Sequence, residues 1–341
     1  MSETLADTGE FVLIDRINNV VKEEGITNSG LTTGIGDDAA SFMPGSSYEI
    51  LVTCDSMVEG RHYLPDHISP RDLGRRAMVM NISDIGAMGG RPLYAVVSLG
   101  LRSDTALADV EEMYRGFLSE LNPFKASLIG GNITKSDYSN FIDITLIGEV
   151  DKDKKILRST ARKGDILLVT GYPGQAAAGL EMLLGEEVKS EIYEHPLVLA
   201  YNRPVHRARE GRAAAQSGFA TSMIDISDGF PGDLGHICKE SGVGAEIIKD
   251  KLPVSPALNR LELQEGRDIL DLILKDSDDY ELIITCRPEN KENLKSVLKK
   301  VSDNAVTEVG RITGAEGEIK IMLPDGSIQE AGSSGWDHFK G

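Results

Sequence analysis

Acidic side chains at the ends of apolar segments are the chemically suggestive feature of this 341-residue chain. GIGDDAA (34–40) sets Asp37 beside Asp38. Gly34, Gly36 and Ala39 fit the loose G-x-G-x-x-A dinucleotide fingerprint, but no convincing strand leads into it and two carboxylates stand where a pyrophosphate would lie. Bare carboxylates repel phosphate, and a divalent cation between them reverses the sign. Asp55 closes the apolar YEILVTCD (48–55). Asp84 shares one face of a predicted helix with Leu73, Ala77, Met80 and Met88, so it is carried into apolar surroundings. A carboxylate there needs a metal or a basic partner, such as Arg75, Arg76 or Arg91. MIDISDG (223–229) puts Asp225 and Ser227 on one strand face and turns at Asp228-Gly229. DSDDYEL (276–282) reads as a solvated acidic loop before a strand.

If Asp37, Asp38, Asp55, Asp84, Asp225 and Asp228 converge, the result is an oxygen-rich site suited to Mg²⁺. It does not suit zinc, because no His/Cys ligand spacing is present. There is no GxxxxGK[ST] loop, no HRD…DFG set and no GxSxG elbow. The Gly171–Gly174 turn before an Ala-rich helix either presents amides to an anion or merely connects strand to helix.

These acids need elements to position them. Phe11, Ile14, Ile17 and Val21 predict a helix over 8–24. Ser69-Pro70 predicts a helix start, followed by RDLGRRAMVMNISDIGAM. Strands are expected at 48–55, 93–101, 126–131 and 141–150, with a helix at 104–121. The charged DKDKK (151–155) marks the expected domain boundary. Beyond it, strands at 165–171, 223–227 and 279–285 alternate with helices after YPG, from about Pro231 and at 291–301. The mixture predicts an α+β or α/β chain of two domains, 1–150 and 151–341. The fragment ISD at 82–84 and 226–228 hints at an internal duplication.

Composition narrows the partners. Asp and Glu number 54 against 36 Lys and Arg, a net charge of −18, which disfavours nucleic acid. No apolar run is long enough to span a membrane, and the N-terminus lacks the pattern of a signal peptide. Cys54, Cys238 and Cys286 are few and widely spaced, which points to the reducing cytoplasm.

The motifs also occur in a familiar order. GIGDDAA, VTCDSMVEGRHY, NISDIGAMGG, LIGGN, RSTARKGD, VTGYPGQAAAGL, MIDISDGFPGDLGH, DDYEL and GWDHF run collinearly from about residue 34 to 339. In that order they resemble thiamine-monophosphate kinase, of the ATP-binding superfamily that includes aminoimidazole ribonucleotide synthetase. The resemblance implies an N-terminal sheet domain that binds ATP and Mg²⁺ and dimerises, and a C-terminal α/β domain that completes the site. It implies ATP-dependent phosphorylation of thiamine monophosphate to thiamine diphosphate by direct in-line transfer assisted by several Mg²⁺ ions, with no general base. By the same resemblance Asp37, Thr53, Cys54, Asp55, Asp84, Asn132, Asp225 and Asp228 fall on metal positions. Tyr114, Gly131, Asn132, Arg158 and Ser227 fall on nucleotide positions, and His62, Asp278 and Trp336 on substrate positions. Asn132 replaces the usual Asp, Asp278 the usual Glu, and Cys54 the usual Thr or Ser. The alternatives are a divergent kinase with another phosphorylated acceptor and an inactive nucleotide-binding regulator.

Overall fold

The computed structural model describes residues 31–33, 37–43, 47–185, 190–266 and 268–331. The expected helix at 8–24, Gly34, Gly36 and Trp336 lie outside the described residues.

Alternating apolar segments build the first sheet. β1 (Leu31–Thr33), β2 (Ala40–Phe42), β3 (Tyr48–Val58), β4 (Arg91–Leu101), β5 (Ser127–Lys135) and β6 (Phe141–Asp151) lie in the order β1-β2-β3-β6-β4-β5. β3 and β6 pair antiparallel from Tyr48↔Asp151 to Val58↔Phe141, whereas β4 and β5 run parallel. Ile142, Ile144 and Leu146 of β6 are buried, and the intervening Asp143 and Thr145 take the other face. The buried face packs against α1 (Pro70–Ala87) and α2 (Leu107–Leu121), where Leu73, Ile82, Ile85 and Phe117 join Val97, Leu99 and Ile144 in one core.

α1 starts where the sequence predicts. The Ser69 hydroxyl accepts from the Asp72 amide at 3.1 Å, and Pro70 occupies the first helical position, where no amide hydrogen is needed. It stops at Gly89, whose φ of +79° favours glycine.

The second sheet contains β7 (Ile166–Thr170), β8 (Ala220–Asp225), β9 (Gly244–Ile248), β10 (Leu282–Cys286), β11 (Val306–Thr313), β12 (Ile319–Met322) and β13 (Ile328–Glu330). Their order is β13-β12-β9-β11-β7-β10-β8, antiparallel except between β9 and β12. Both faces are covered. Ile224 and Ile283 join a core with Phe230 and Leu234 of α6 (Phe230–Ser241), while Met223, Leu282 and Ile284 join another with Leu294 and Leu298 of α9 (Lys291–Lys299). Helices α3 (Gln175–Leu183), α4 (Pro196–Asn202), α5 (Ala208–Ser217), α7 (Pro256–Glu265) and α8 (Ile269–Ile273) complete this part.

α1 and α5 touch through their backbones. A Cβ on Gly86 would lie 2.5 Å from Ala208 Cα, and one on Gly211 would lie 2.0 Å from the Gly86 carbonyl oxygen. Glycine is required at both positions, and the contact brings the C-terminal end of α1 against the second part of the chain.

Candidate active site

Three carboxylates from three elements meet at this junction. Asp38 lies on the turn before β2, Asp84 on α1 and Asp225 at the end of β8. Each offers an oxygen within 4.8 Å of the others. Asp84 arrives because its helical stripe faces the sheet, where the Thr53 hydroxyl of β3 donates to its Oδ2. Asp225 arrives because β8 ends there, paired with Leu282 of β10 and 1% exposed. The chain after it is tied down by amide bonds from Ile226 to the Glu281 carbonyl and from Tyr280 to the Ile226 carbonyl, both 2.8 Å.

The electrostatics are those of crowded like charges. Burial, then the charges of Asp55, Asp225 and Asp38, drive Asp84 well above the usual carboxylate range. Burial and Asp38 do the same to Asp225. Burial and Asp38 push Asp37 up to about 7, and burial and Asp143 push Asp55 up to about 6 against a hydrogen bond with Asp84. Asp38 alone is held low: burial opposes its charge, but Arg158 grips it through Nε at 2.9 Å and Nη2 at 2.7 Å. Arg75 pairs with Glu120, Arg91 with Glu149 and Arg76 with Asp278, so none of the basic partners expected for Asp84 reaches it. Asp225 Oδ2 and the Ser83 hydroxyl are buried close to each other, and among the described residues neither makes a well-formed hydrogen bond. A set of hard oxygens with surplus negative charge and orphaned polar atoms fits a divalent cation such as Mg²⁺.

A second group adjoins the first. Asp228 follows β8, while Asp233 and His236 stand one turn apart on α6, and the three offer ligand atoms within 4.8 Å of one another. Asp233 Oδ2 accepts from the amides of Ser227 and Asp228 at 3.0 and 3.1 Å. Gly229, at φ +105°, permits the close approach to the Lys275 carbonyl that closes this loop. Sequence reading missed Asp233 and His236, although their i, i+3 spacing just after the DG turn was the available signal. The two ISD fragments serve different groups, Asp84 the first and Asp228 the second.

A third locus holds two of the expected substrate residues. Asp278 is bonded to Arg76, and the Arg76 guanidinium lies 4.0 Å over the Tyr201 ring. The Tyr201 hydroxyl donates to the His62 carbonyl at 3.5 Å, and His62 Nδ1 accepts from the Val58 amide at 3.0 Å.

Other expected residues sit elsewhere. The Cys54 thiol is on the opposite face of β3 from Thr53, 3.5 Å from Asp143 Oδ1, so its sulfur is not aimed at Asp84. Gly131 and Asn132 lie on the exposed β5, and Tyr114 packs edge-on against Phe117 on α2. The acidic loop at 276–282 is largely internal rather than solvated. Asp279 caps α3 by accepting from the amides of Gly174 and Ala176 at 2.6 and 3.0 Å, and Ser277 accepts from Ala177 at 3.0 Å. The Gly174 turn therefore has its anion already, supplied by the protein itself. Glu281 is bound by Thr170, Arg207 and Asn304.

Comparison with known proteins gives this arrangement its family. The model for AIR synthase related protein, N-terminal domain, matches residues 36–150, and that for the C-terminal domain matches residues 162–322. Thiamine-monophosphate kinase of Aquifex aeolicus is 34% identical over 335 residues, covering 98% of this chain and 99% of that protein. The enzyme of the same name from Haemophilus influenzae is 36% identical over 343 residues, covering 97% and 98%. The solved structure of AaThiL complexed with AMPPCP and TMP superposes with a TM-score of 0.83 at 32% identity, over 99% of both chains. The chain belongs to the thiamine-monophosphate kinase family, built on the two-domain fold of the AIR synthase-related proteins.

Proposed function

We propose that the chain transfers the γ-phosphoryl group of ATP directly to the phosphate of thiamine monophosphate, giving thiamine diphosphate and ADP. The observation that carries this reading is the convergence of Asp38, Asp84 and Asp225 from the two sheets and α1 on one point. Membership of the kinase family supports it.

The physical problem is to bring two polyanions together. Asp38, Asp84 and Asp225, with Asp37, Asp55 and Asp228 alongside, would hold Mg²⁺, which would supply positive charge against the phosphates. The acceptor is a phosphate oxygen, ionised near neutral pH with a second pKa of about 6, so no side chain has to remove a proton. What the chain supplies is alignment. Thr53 fixes the Asp84 carboxyl, Asp233 fixes the loop carrying Ser227 and Asp228, and Arg158 fixes Asp38. His62 and Asp278 take the acceptor, with Trp336 as the third member expected there. Tyr114, Gly131, Asn132, Arg158 and Ser227 take the nucleotide.

We assign residues 1–150 to ATP and metal binding and dimerisation, and 151–341 to completing the site. The homodimer reading is supported by β5, a parallel edge strand with Ile129 and Ile133 58% and 63% exposed. No helix among the described residues is long and apolar enough to cross a membrane. The three free cysteines support a place in the reducing cytoplasm.

A coupled ADP assay with thiamine monophosphate and Mg²⁺, with mass detection of the product, tests the reading. Turnover that stops with chelator and returns with Mg²⁺ is expected. ADP release without thiamine diphosphate would overturn the acceptor assignment.

A further inference from the structure

Two of the four acids in the run at 276–282 are committed to the fold. Asp279 caps α3, and Glu281 is clasped by Arg207. Asp278 differs from both, because its side chain is 38% exposed yet is bonded to a guanidinium only 2% exposed. A buried cation is expensive unless paired, so Arg76 has to be explained by what it holds. Two of its nitrogens, Nε and Nη1, are buried and bonded to no carboxylate, and Asp278 is the one carboxylate bonded to it among the described residues. We infer that Arg76 is a positioning residue for acceptor recognition: from inside the protein it fixes the outward-facing Asp278, and by stacking on Tyr201 it joins that carboxylate to the His62 turn. This rests on the assignment of His62 and Asp278 to the acceptor.

Three further observations bear on it. Arg76 stands on α1 eight residues before Asp84, about 12 Å along the helix axis, so one rigid element sets both the acceptor holder and a carboxylate of the acid cluster. Tyr280, two residues after Asp278, has φ +50° and is buried within electrostatic reach of Asp278 and Arg76 and of Asp55 and Asp225. The acceptor locus is thereby placed against the acid cluster. Finally, an Asp278 carboxylate held through one oxygen keeps the other for the acceptor. The chemistry it suits is an organic end bearing a cationic ring or an amino group, both of which thiamine has.

The test is steady-state kinetics on the full chain with ATP, Mg²⁺ and thiamine monophosphate. Arg76→Gln should raise the acceptor KM about 10–100-fold, the loss of one charged hydrogen bond, with the ATP KM held within about twofold. Arg76→Lys should recover part of the loss. Asp278→Asn combined with Arg76→Gln should be no worse than the poorer single variant, because the two act as one unit. If both KM values rise together, if only the melting temperature falls, or if the double variant is fully additive, the role is structural and the inference is overturned. Should Arg76→Gln fail to fold, Arg76→Lys and Tyr201→Phe decide. The latter keeps the ring under the cation but removes the bond to His62, so an unchanged acceptor KM in both would overturn the inference. If the wild-type chain releases no ADP with thiamine monophosphate, the acceptor assignment falls separately. The same variants are then read on whichever phosphorylated acceptor in a panel supports turnover, and a panel with none sinks both.

Discussion

Asp84 shows how one side chain can be unfavourable for the fold and necessary for the chemistry. It shares its site with Asp38 and Asp225, and of these three only Asp38 is hydrogen-bonded by Arg158. Asp84→Asn should lower ADP formation by about 100-fold or more while the circular dichroism spectrum stays unchanged. The same substitution should raise the melting temperature of the metal-free protein, since it removes a carboxyl crowded by Asp55, Asp225 and Asp38. A variant that turns over normally would show that this carboxylate is not part of the reaction. The pH dependence has a definite sign. Asp37 and Asp55 rise from 3.8 to about 7 and about 6 on folding, so between those values the folded chain binds more protons than the unfolded one. Their contribution to stability is complete below about pH 3.8 and is lost as pH rises through 6 and 7. Chelator-treated protein should therefore melt lower at pH 8 than at pH 5.5, with the gap narrowed by added Mg²⁺; calorimetry giving the opposite order would contradict the crowding. Asp84 was legible because a 3.6-residue period exposes a lone acid in an apolar stripe. The Arg158–Asp38 bond was not, because 120 residues separate the partners and no local pattern encodes the pairing.

Among the elements, those with strong local signals were found. The Ser69-Pro70 start of α1 and the alternation of β3 and β6 each carry a mechanism within a few residues. β3 runs three residues past Asp55, because β6 continues to pair with it as far as Val58. α5 was missed. Its AREGRAAAQS lacks the large apolar side chains that mark a period, since its packing depends on small residues. That smallness is what lets Gly211 meet Gly86. Gly211→Ala should destabilise the fold by about 1–3 kcal/mol through overpacking, measurable by urea titration. An unchanged midpoint would mean that α1 and α5 can separate without loss. At α3, Asp279→Ala should cost about 1–2 kcal/mol, because two helix amides lose their acceptor.

At the scale of the whole molecule, the two sheets and the family fold were anticipated, but how the two parts dock was not visible in the chain. β5 is the place where this scale bears on the nucleotide. Gly131 and Asn132 lie between the exposed Ile129 and Ile133, so the surface proposed for pairing with a second copy also carries two proposed nucleotide positions. If the proposed dimer forms through β5, Ile133→Lys should leave monomers in sedimentation velocity and raise the KM for ATP. Monomeric protein with undiminished ATP use would separate the two roles.

The placement of Asp225 on β8 bears on how the protein is made. Synthesis delivers Asp38 and Asp84 to the growing polypeptide long before β8 leaves the ribosome, and β10, which pairs with β8, follows later still. A prematurely terminated product ending before β8 carries two of the three acids and no point at which they close. Such a product would lack the Asp225 oxygen that completes the three-carboxylate cluster.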